Sequence, residues 1–208
     1  MAIVCPTVLA LEPHEYREQM ERIKPFAKRI QIDLTDGDFA PSKTVRLEQL
    51  WWDDSDKVDI HLMYRKPIDH ILDLVRLNPH MVIVHAEADG SFYEIAQELK
   101  EHDIKAGVAL LKETPVSVLE PAIGLIDHVL IFSGDLGHFG GKADLALLDK
   151  VKALKAMKSE IEVGWDGGIN DDNAKQLADG GVDVLNVGGF IQKAKEPKKA
   201  YKALEKLL

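Results

Sequence analysis

Two aspartates and a histidine lie in, or directly after, the last residues of apolar segments of this chain: Asp33, His61 and Asp166. In a barrel of parallel strands the carboxyl ends of the strands meet at one mouth, where active sites lie. We therefore expect these three side chains to converge. Carboxylates and imidazole can transfer protons or hold a divalent metal. The opposite ends of the predicted strands show no comparable group of polar residues.

Gln31 stands two residues before Asp33, so the two side chains leave the same face of their strand. This spacing suits a pair of metal ligands or an acid–base pair, and the amide makes Gln31 the unusual member. The dipeptide Asp36-Gly37 follows, and it is a common turn pair. We expect it to support Asp33 rather than to take part in the chemistry.

Three glycine pairs follow the sixth, seventh and eighth predicted strands: Gly140-Gly141, Gly167-Gly168 and Gly188-Gly189. Each pair alone could serve a turn. Glycines also let backbone N–H groups approach an anion, and barrel enzymes often bind phosphate with the loops after strands seven and eight. Three pairs in neighbouring loops favour a phosphate site, completed by a short helix over residues 188–193.

The segments that must position these residues alternate between apolar, β-branched runs and amphipathic runs. Strands are predicted over residues 2–9, 29–34, 57–63, 81–85, 104–111, 128–132, 161–165 and 182–187. Helices are predicted over residues 13–23, 45–52, 67–77, 91–102, 115–123, 143–157, 171–178, 188–193 and 197–208. Eight strand–helix units predict an α/β fold, a single-domain (β/α)8 TIM barrel over residues 1–208. A doubly wound open sheet is the alternative, and it fits a count of eight less well.

Composition narrows the class of protein. The 208 residues are 46% apolar, enough for a full core, and they contain no low-complexity stretch. A formal net charge of −9 argues against a nucleic-acid partner. We see no signal-peptide pattern and no apolar stretch of membrane-spanning length. The chain has a single cysteine, Cys5, which fits a reducing compartment. We therefore expect a cytoplasmic protein with no membrane partner.

Seven motifs, in order along nearly the whole chain, resemble those of the ribulose-5-phosphate 3-epimerase family. They are Pro6-Thr7-Val8-Leu9, Asp33-Leu34-Thr35-Asp36-Gly37-Asp38-Phe39-Ala40-Pro41, His61-Leu62-Met63, His85-Ala86-Glu87, Phe139-Gly140-Gly141-Lys142, Asp166-Gly167-Gly168-Ile169 and Val187-Gly188-Gly189-Phe190-Ile191. A lone Gly-Gly or Asp-Gly-Gly would be weak support. The ordered set at strand ends is specific to this family or to a close offshoot.

The resemblance implies a mechanism. The family inverts C3 of a ketose phosphate, D-ribulose 5-phosphate to D-xylulose 5-phosphate, through an enediolate. Two aspartates exchange protons on opposite faces of C3, and these roles fall on Asp33 and Asp166. A divalent Zn, Fe, Mn or Co ion is implied, with three family ligands matching Asp33, His61 and Asp166. Substrate contacts are implied for Thr7, His61, Met63 and the three glycine pairs, and a homo-oligomer is implied as well.

Gln31 stands where the family has its fourth metal ligand, a histidine. The carbonyl oxygen of Gln31 is a weaker and harder ligand than imidazole. Thr35 and Ser133 replace methionines next to the metal, so we expect a more polar site. Three outcomes are open: a weakened metal, a metal whose coordination is completed by water or by His85, or no metal. The family has His85 without using it as a ligand, which favours a supporting role.

Two classes of function stay open. The first is a metal-assisted sugar-phosphate 3-epimerase. The second is a catalytically impaired or silent sugar-phosphate-binding homologue that lacks a complete metal site, and Gln31 motivates it. A phosphosugar lyase or isomerase of similar barrel design is a third hypothesis. Such relatives often carry a lysine at the end of the second strand, and none lies between Gln31 and Phe39.

Overall fold

The computed structural model describes residues 2–208 and contains one closed barrel of eight parallel strands in chain order. The strands are β1 (Ile3–Val8), β2 (Arg29–Thr35), β3 (Lys57–Met63), β4 (Met81–His85), β5 (Lys105–Leu110), β6 (His128–Phe132), β7 (Glu162–Asp166) and β8 (Val184–Val187). This architecture confirms the predicted (β/α)8 barrel. It follows from strands that are apolar on both faces, as strands covered by helices must be.

Helices connect the strands on the outside of the barrel. The α-helices are α1 (Pro13–Ile23), α2 (Ile71–Leu77), α3 (Phe92–Glu101), α4 (Leu148–Met157), α5 (Ala174–Asp179), α6 (Gly189–Gln192) and α7 (Pro197–Glu205). 3-10 helices lie at Leu47–Gln49, Pro67–His70, Val116–Leu125 and Leu145–Leu147. The main core fills the layer between strands and helices, and a small separate cluster contains Met81, Ile83, Ala109 and Leu130. Within residues 2–208, every helix is too short or too polar to cross a membrane.

The strand register brings the expected site residues to one level of the barrel. Asp33 on β2 lies opposite His61 on β3, and Asp166 on β7 lies opposite Asn186 on β8. Because alternate residues of a strand share a face, Gln31 points the same way as Asp33. The barrel therefore positions these side chains on rigid strands rather than on loops.

The helix predicted over residues 45–52 is wrong, because only a single 3-10 turn forms there. The end of this segment is held from outside: the Tyr16 hydroxyl donates to the carbonyl of Trp51 at 2.7 Å, and the two rings pack edge to face. The backbone is already extended at Leu50, so the segment ends after that turn and the carbonyl of Trp51 is free to accept this bond.

Two other helices also differ from their predictions. The segment 115–123 forms a 3-10 helix, because Pro121 within it lacks the backbone N–H that an α-helix needs. The helix predicted over residues 171–178 begins later, at α5. Its first residues are used in a turn in which the Asn173 amide donates to the carbonyl of Gly168 at 2.8 Å.

A buried ion network lies at the amino ends of the strands, where we expected no polar group. Arg29 donates to Asp59 at 2.5 Å and, through both terminal nitrogens, to Glu162 at 2.9 and 2.8 Å. His80 Nδ1 lies 2.7 Å from Asp59 Oδ1, and His128 Nδ1 lies 2.7 Å from Glu162 Oε1. Burial opposes ionisation of Glu162, but hydrogen bonds from His128 and Arg29 hold its pKa below the usual range. The polar residues were visible in the sequence, but their pairing was not.

We expect Arg29→Met to lower the free energy of unfolding by about 3–5 kcal/mol, because it leaves the buried Asp59 carboxylate without its cation. Urea unfolding at pH 7 would measure the loss. Lys175→Met is the matched control: it breaks the exposed pair with Asp179 and should cost less than about 1 kcal/mol. Equal losses in the two variants would show that the network contributes nothing beyond a surface pair.

Candidate active site

Asp33, His61 and Asp166 meet at the carboxyl end of the barrel. One potential ligand atom from each lies within 4.8 Å of the other two. His61 Nδ1 is 3.0 Å from Asp33 Oδ1 and 3.9 Å from Asp166 Oδ2. Asp33 is 5% exposed and His61 is fully buried, so their charges are poorly screened by water. The strand ends thus bring together the three side chains that the sequence pattern singled out.

Gln31 lies between the two carboxylates and turns its nitrogen toward them. Nε2 donates to Asp33 Oδ1 at 2.8 Å and to Asp166 Oδ2 at 2.6 Å. Oε1 accepts a hydrogen bond from Nδ2 of Asn186. Carboxylate oxygens are acceptors when ionised, so an amide nitrogen belongs between them. In this arrangement Gln31 is a hydrogen-bond donor to both aspartates and not a metal ligand.

The surroundings of Asp166 disfavour a negative charge on its carboxyl group. Burial, together with the neighbouring charge of Asp33, raises the pKa of Asp166 well above the ordinary range of a carboxyl group. The protonated form of Asp166 is therefore favoured up to a higher pH than that of an ordinary carboxyl group. Asp33 Oδ1 accepts hydrogen bonds from Gln31 and, in one tautomer, from His61. A site that holds one proton between two carboxyl groups can take a proton on one side and give one on the other.

His85 supports His61 from the side away from the aspartates. The two Nε2 atoms are 2.9 Å apart, and His85 Nδ1 lies 3.4 Å from a carboxylate oxygen of Glu87. Burial lowers the pKa of His85 to about 4, so its ring is neutral at pH 7. Such partners fix the orientation of a functional histidine. His85 therefore orients His61, and the ligand group found among the described residues does not include it.

The donor set fits a divalent metal with three protein ligands. Asp33, His61 and Asp166 supply two carboxylates and one imidazole, and catalytic zinc sites commonly have three protein ligands and an open position. These residues would hold the metal that the family resemblance implies. Gln31 does not complete the set in its present orientation, because its N–H groups would face the cation.

A cavity of about 340 Å³ opens beside the aspartates. Its wall includes the predicted contacts Thr7, Met63, Asp33, Asp166, Gly140, Gly141, Gly167, Gly168, Gly188 and Gly189. His61, also predicted as a substrate contact, does not line this cavity; it is buried against Asp33 instead. The predicted phosphate loops therefore share one wall, whereas His61 is a partner of Asp33.

The glycine loops also need glycine for their own packing. A Cβ on Gly167 would lie 2.1 Å from the backbone nitrogen of Gly134, and one on Gly168 would lie 2.1 Å from that of Ala143. Both glycines have positive φ, at 111° and 71°. Gly167 and Gly168 are therefore required by the turn itself, and they also line the cavity.

The polar replacements tie two loops together over the mouth. The Thr35 hydroxyl lies 3.2 Å from that of Ser42, which donates to the carbonyl of Gly137 at 2.8 Å. These bonds join the loop after β2 to the loop after β6. The Ser133 hydroxyl accepts the backbone N–H of Asp144 at 2.8 Å. The hydroxyl groups of Thr35 and Ser133 thus hold loops in place by hydrogen bonds.

Asp36-Gly37 forms the predicted turn, and the hydrogen bonds of Asp36 hold the loop after β2 and Arg65 rather than Asp33. Asp36 Oδ1 accepts the backbone N–H groups of Asp38 and Phe39, both at 2.8 Å, and Oδ2 accepts that of Arg65 at 2.6 Å. Gly37 takes a φ of 85°, which a residue without Cβ adopts without strain.

Sequence reasoning missed three residues of the site. Lys193 and Asn170 line the cavity, and Lys193 adds a positive charge beside Gly189. Asn186 also lines it and holds Gln31. Lys193 could have been identified from the sequence, because it lies at the end of the short helix that follows the last glycine pair. Asn186 gave none beyond its position at a strand end.

Comparisons with known proteins agree with this geometry. A family model described as the ribulose-phosphate 3 epimerase family matches residues 3–192. The ribulose-phosphate 3-epimerase of Bacillus subtilis (strain 168) is 30% identical over 209 residues, which cover 96% of this chain and 96% of that protein. That of Aquifex aeolicus (strain VF5) is 30% identical over 216 residues, covering 100% of this chain and 97% of that protein.

Solved structures share the fold at lower identity. A 3-hexulose-6-phosphate synthase from Salmonella typhimurium superposes with a TM-score of 0.70 at 16% identity, over 99% of this chain and 98% of that one. A thiamine phosphate pyrophosphorylase from Pyrococcus furiosus gives a TM-score of 0.62 at 17% identity, over 99% and 94%. These likenesses show the barrel architecture alone.

Proposed function

Because this chain belongs to the ribulose-phosphate 3-epimerase family, a family of isomerases acting on carbohydrates, we propose that it inverts C3 of D-ribulose 5-phosphate to give D-xylulose 5-phosphate. The observation that carries the proposal is the pair of carboxyl groups, the buried Asp33 and the partly buried Asp166, at the wall of one glycine-lined cavity. Burial, together with the neighbouring charge of Asp33, raises the pKa of Asp166 and so favours the protonated form of that carboxyl group.

In the proposed reaction Asp33 accepts the proton from C3, and Asp166 delivers a proton to the opposite face of the same carbon. The enediolate forms in the first of these steps and is reprotonated in the second, so each carboxyl group ends in the opposite protonation state. Gln31 donates to both carboxyl groups and holds them at one separation before a cation binds. His61, oriented by His85, supports Asp33.

A divalent metal held by Asp33, His61 and Asp166 would stabilise the negative charge that develops on the substrate oxygens. The substrate phosphate lies, in this proposal, against the three glycine pairs. Lys193 supplies a positive charge on that wall, and glycines permit the close backbone approach that an anion needs.

Isotope exchange tests the proposal. The protein is incubated with D-ribulose 5-phosphate in deuterated water, with zinc, manganese, cobalt or iron added in separate samples, and C3 is followed by NMR. We expect loss of the C3 proton signal and formation of xylulose 5-phosphate that carries deuterium at C3. No exchange with any of the four ions would exclude the proposal.

A silent sugar-phosphate-binding protein is the second candidate. The observation in its favour is Gln31, which fills the space between the carboxylates with an amide instead of a metal-binding imidazole. This candidate predicts sugar-phosphate binding without turnover, and binding that survives Asp33→Asn. Calorimetric titration with ribulose 5-phosphate distinguishes it from the epimerase.

The homo-oligomer, the single domain over residues 1–208 and the cytoplasmic location stay predictions. Sedimentation equilibrium of the purified protein would measure the first of them.

A further inference from the structure

Gln31 and Asn186 form a buried amide pair across the barrel mouth. Gln31 on β2 is 0% exposed and Asn186 on β8 is 2% exposed. Asn186 Nδ2 donates to Gln31 Oε1, and Gln31 Nε2 donates to Asp33 and Asp166. Reversing Gln31 alone would set its oxygen against two carboxylate oxygens and its nitrogen against a donor. Asn186 therefore fixes which end of Gln31 faces the aspartates.

The second amide atom of Asn186 is the unusual feature of the pair. Asn186 Oδ1 is buried and has no hydrogen-bond partner among residues 2–208. Buried polar atoms are usually paired, and an unpaired one has a free-energy cost. In the present orientation, Asn186 Nδ2 donates to Gln31, and Gln31 Nε2 donates to the two aspartates. Asn186 Oδ1, beside them, accepts no hydrogen bond.

Turning both amides over together would use that acceptor and would leave Asn186 Nδ2 in the unpaired position instead. Gln31 Nε2 would then donate to Asn186 Oδ1, and Gln31 Oε1 would face the atoms now bound by Nε2. Four acceptors would point toward one place: this oxygen, Asp33 Oδ1, Asp166 Oδ2 and His61 Nδ1. A cation would stabilise such a group, because each of these atoms offers an electron pair when both aspartates are ionised and His61 carries its ring proton on Nε2.

We propose that Gln31 and Asn186 are a paired amide switch, in which Asn186 sets Gln31 either to bridge the two aspartates or to present its oxygen to a divalent cation. Asn186 is a positioning residue, because it acts only through Gln31. The inference concerns the site of the proposed function, and its cation part rests on that proposal. It explains how a glutamine can stand between the two aspartates without closing the site to a metal.

Asn186→Asp tests the switch, because an aspartate can only accept from Gln31 and so favours the reversed orientation. We expect Zn²⁺ to bind this variant at least about tenfold more tightly than the native protein, measured by calorimetry against a competing chelator at pH 7. Asn186→Val, which has no polar group, should not bind Zn²⁺ more tightly. A residue needed only for packing would give weaker binding in both variants.

The added negative charge of Asn186→Asp needs its own control. In the Gln31→Met background the charge is kept but the amide is gone, so we expect Asn186→Asp to change Zn²⁺ affinity by less than about threefold. An equal gain in both backgrounds would show a charge effect and overturn the proposal. So would the absence of any gain in the Gln31 background.

NMR of the native, nitrogen-labelled protein tests the switch without relying on the stability of a variant. The side-chain NH₂ signals of Gln31 and Asn186, assigned with the Met and Val variants, should move together when Zn²⁺ is added. A shift of one signal without the other, or no shift of either, would contradict paired rotation. No substrate enters these measurements, so the switch and the epimerase activity can fail independently.

Discussion

Asp33→Asn should lower the rate of C3 proton exchange from D-ribulose 5-phosphate by about 100- to 10,000-fold, the range for loss of a general base. The amide cannot accept the proton, but its oxygen can still accept the hydrogen bond from Gln31. The fold of the site is therefore kept while its chemistry is lost. Deuterium incorporation followed by NMR measures the rate.

Asp166→Asn is the matched variant, since it also removes one carboxyl group and one potential ligand. If the two aspartates work on opposite faces of C3, each variant should lose most of its exchange with a different epimer. Asp33→Asn should be more impaired with ribulose 5-phosphate, and Asp166→Asn with xylulose 5-phosphate. Asp38→Asn, an exposed carboxyl in the loop after β2, should leave both rates unchanged. Equal losses with both epimers in both variants would point to a shared charge or ligand role instead.

Gln31→His should raise the affinity for Zn²⁺ by a factor on the order of 100. Imidazole is a stronger zinc ligand than an amide oxygen, and the histidine would lie between Asp33 and Asp166, next to His61. The substitution also removes the NH₂ group that now donates to both carboxylates. Competition between the protein and a chelator of known affinity measures the change.

Gln31→Met is the control for this prediction, because it removes the amide without adding a ligand, and its affinity for Zn²⁺ should not rise. Equal or weaker binding by Gln31→His would show that position 31 does not face the metal. That outcome would favour the silent sugar-phosphate-binding protein, since the site would then lack a fourth ligand in any form.

The local pattern of the chain was sufficient for the barrel. Each strand is a short apolar, β-branched run, and the amphipathic segments between strands supply the helices that cover them. The failures were local. The segment 45–52 was predicted as a helix, yet a hydroxyl from α1 holds the carbonyl of Trp51. Propensity cannot anticipate a partner that lies 35 residues away in the sequence.

The sequence by itself determined that carboxylates, histidine and glycine pairs sit at strand ends. In a closed parallel barrel that position is enough to bring Asp33, His61 and Asp166 to one mouth. Only the tertiary structure decided what Gln31 does there. Its amide has two ends with opposite hydrogen-bonding character, and the choice between them depends on Asn186, 155 residues away. An amide is identical in the sequence whichever end faces the aspartates, so this choice exists only in the folded molecule.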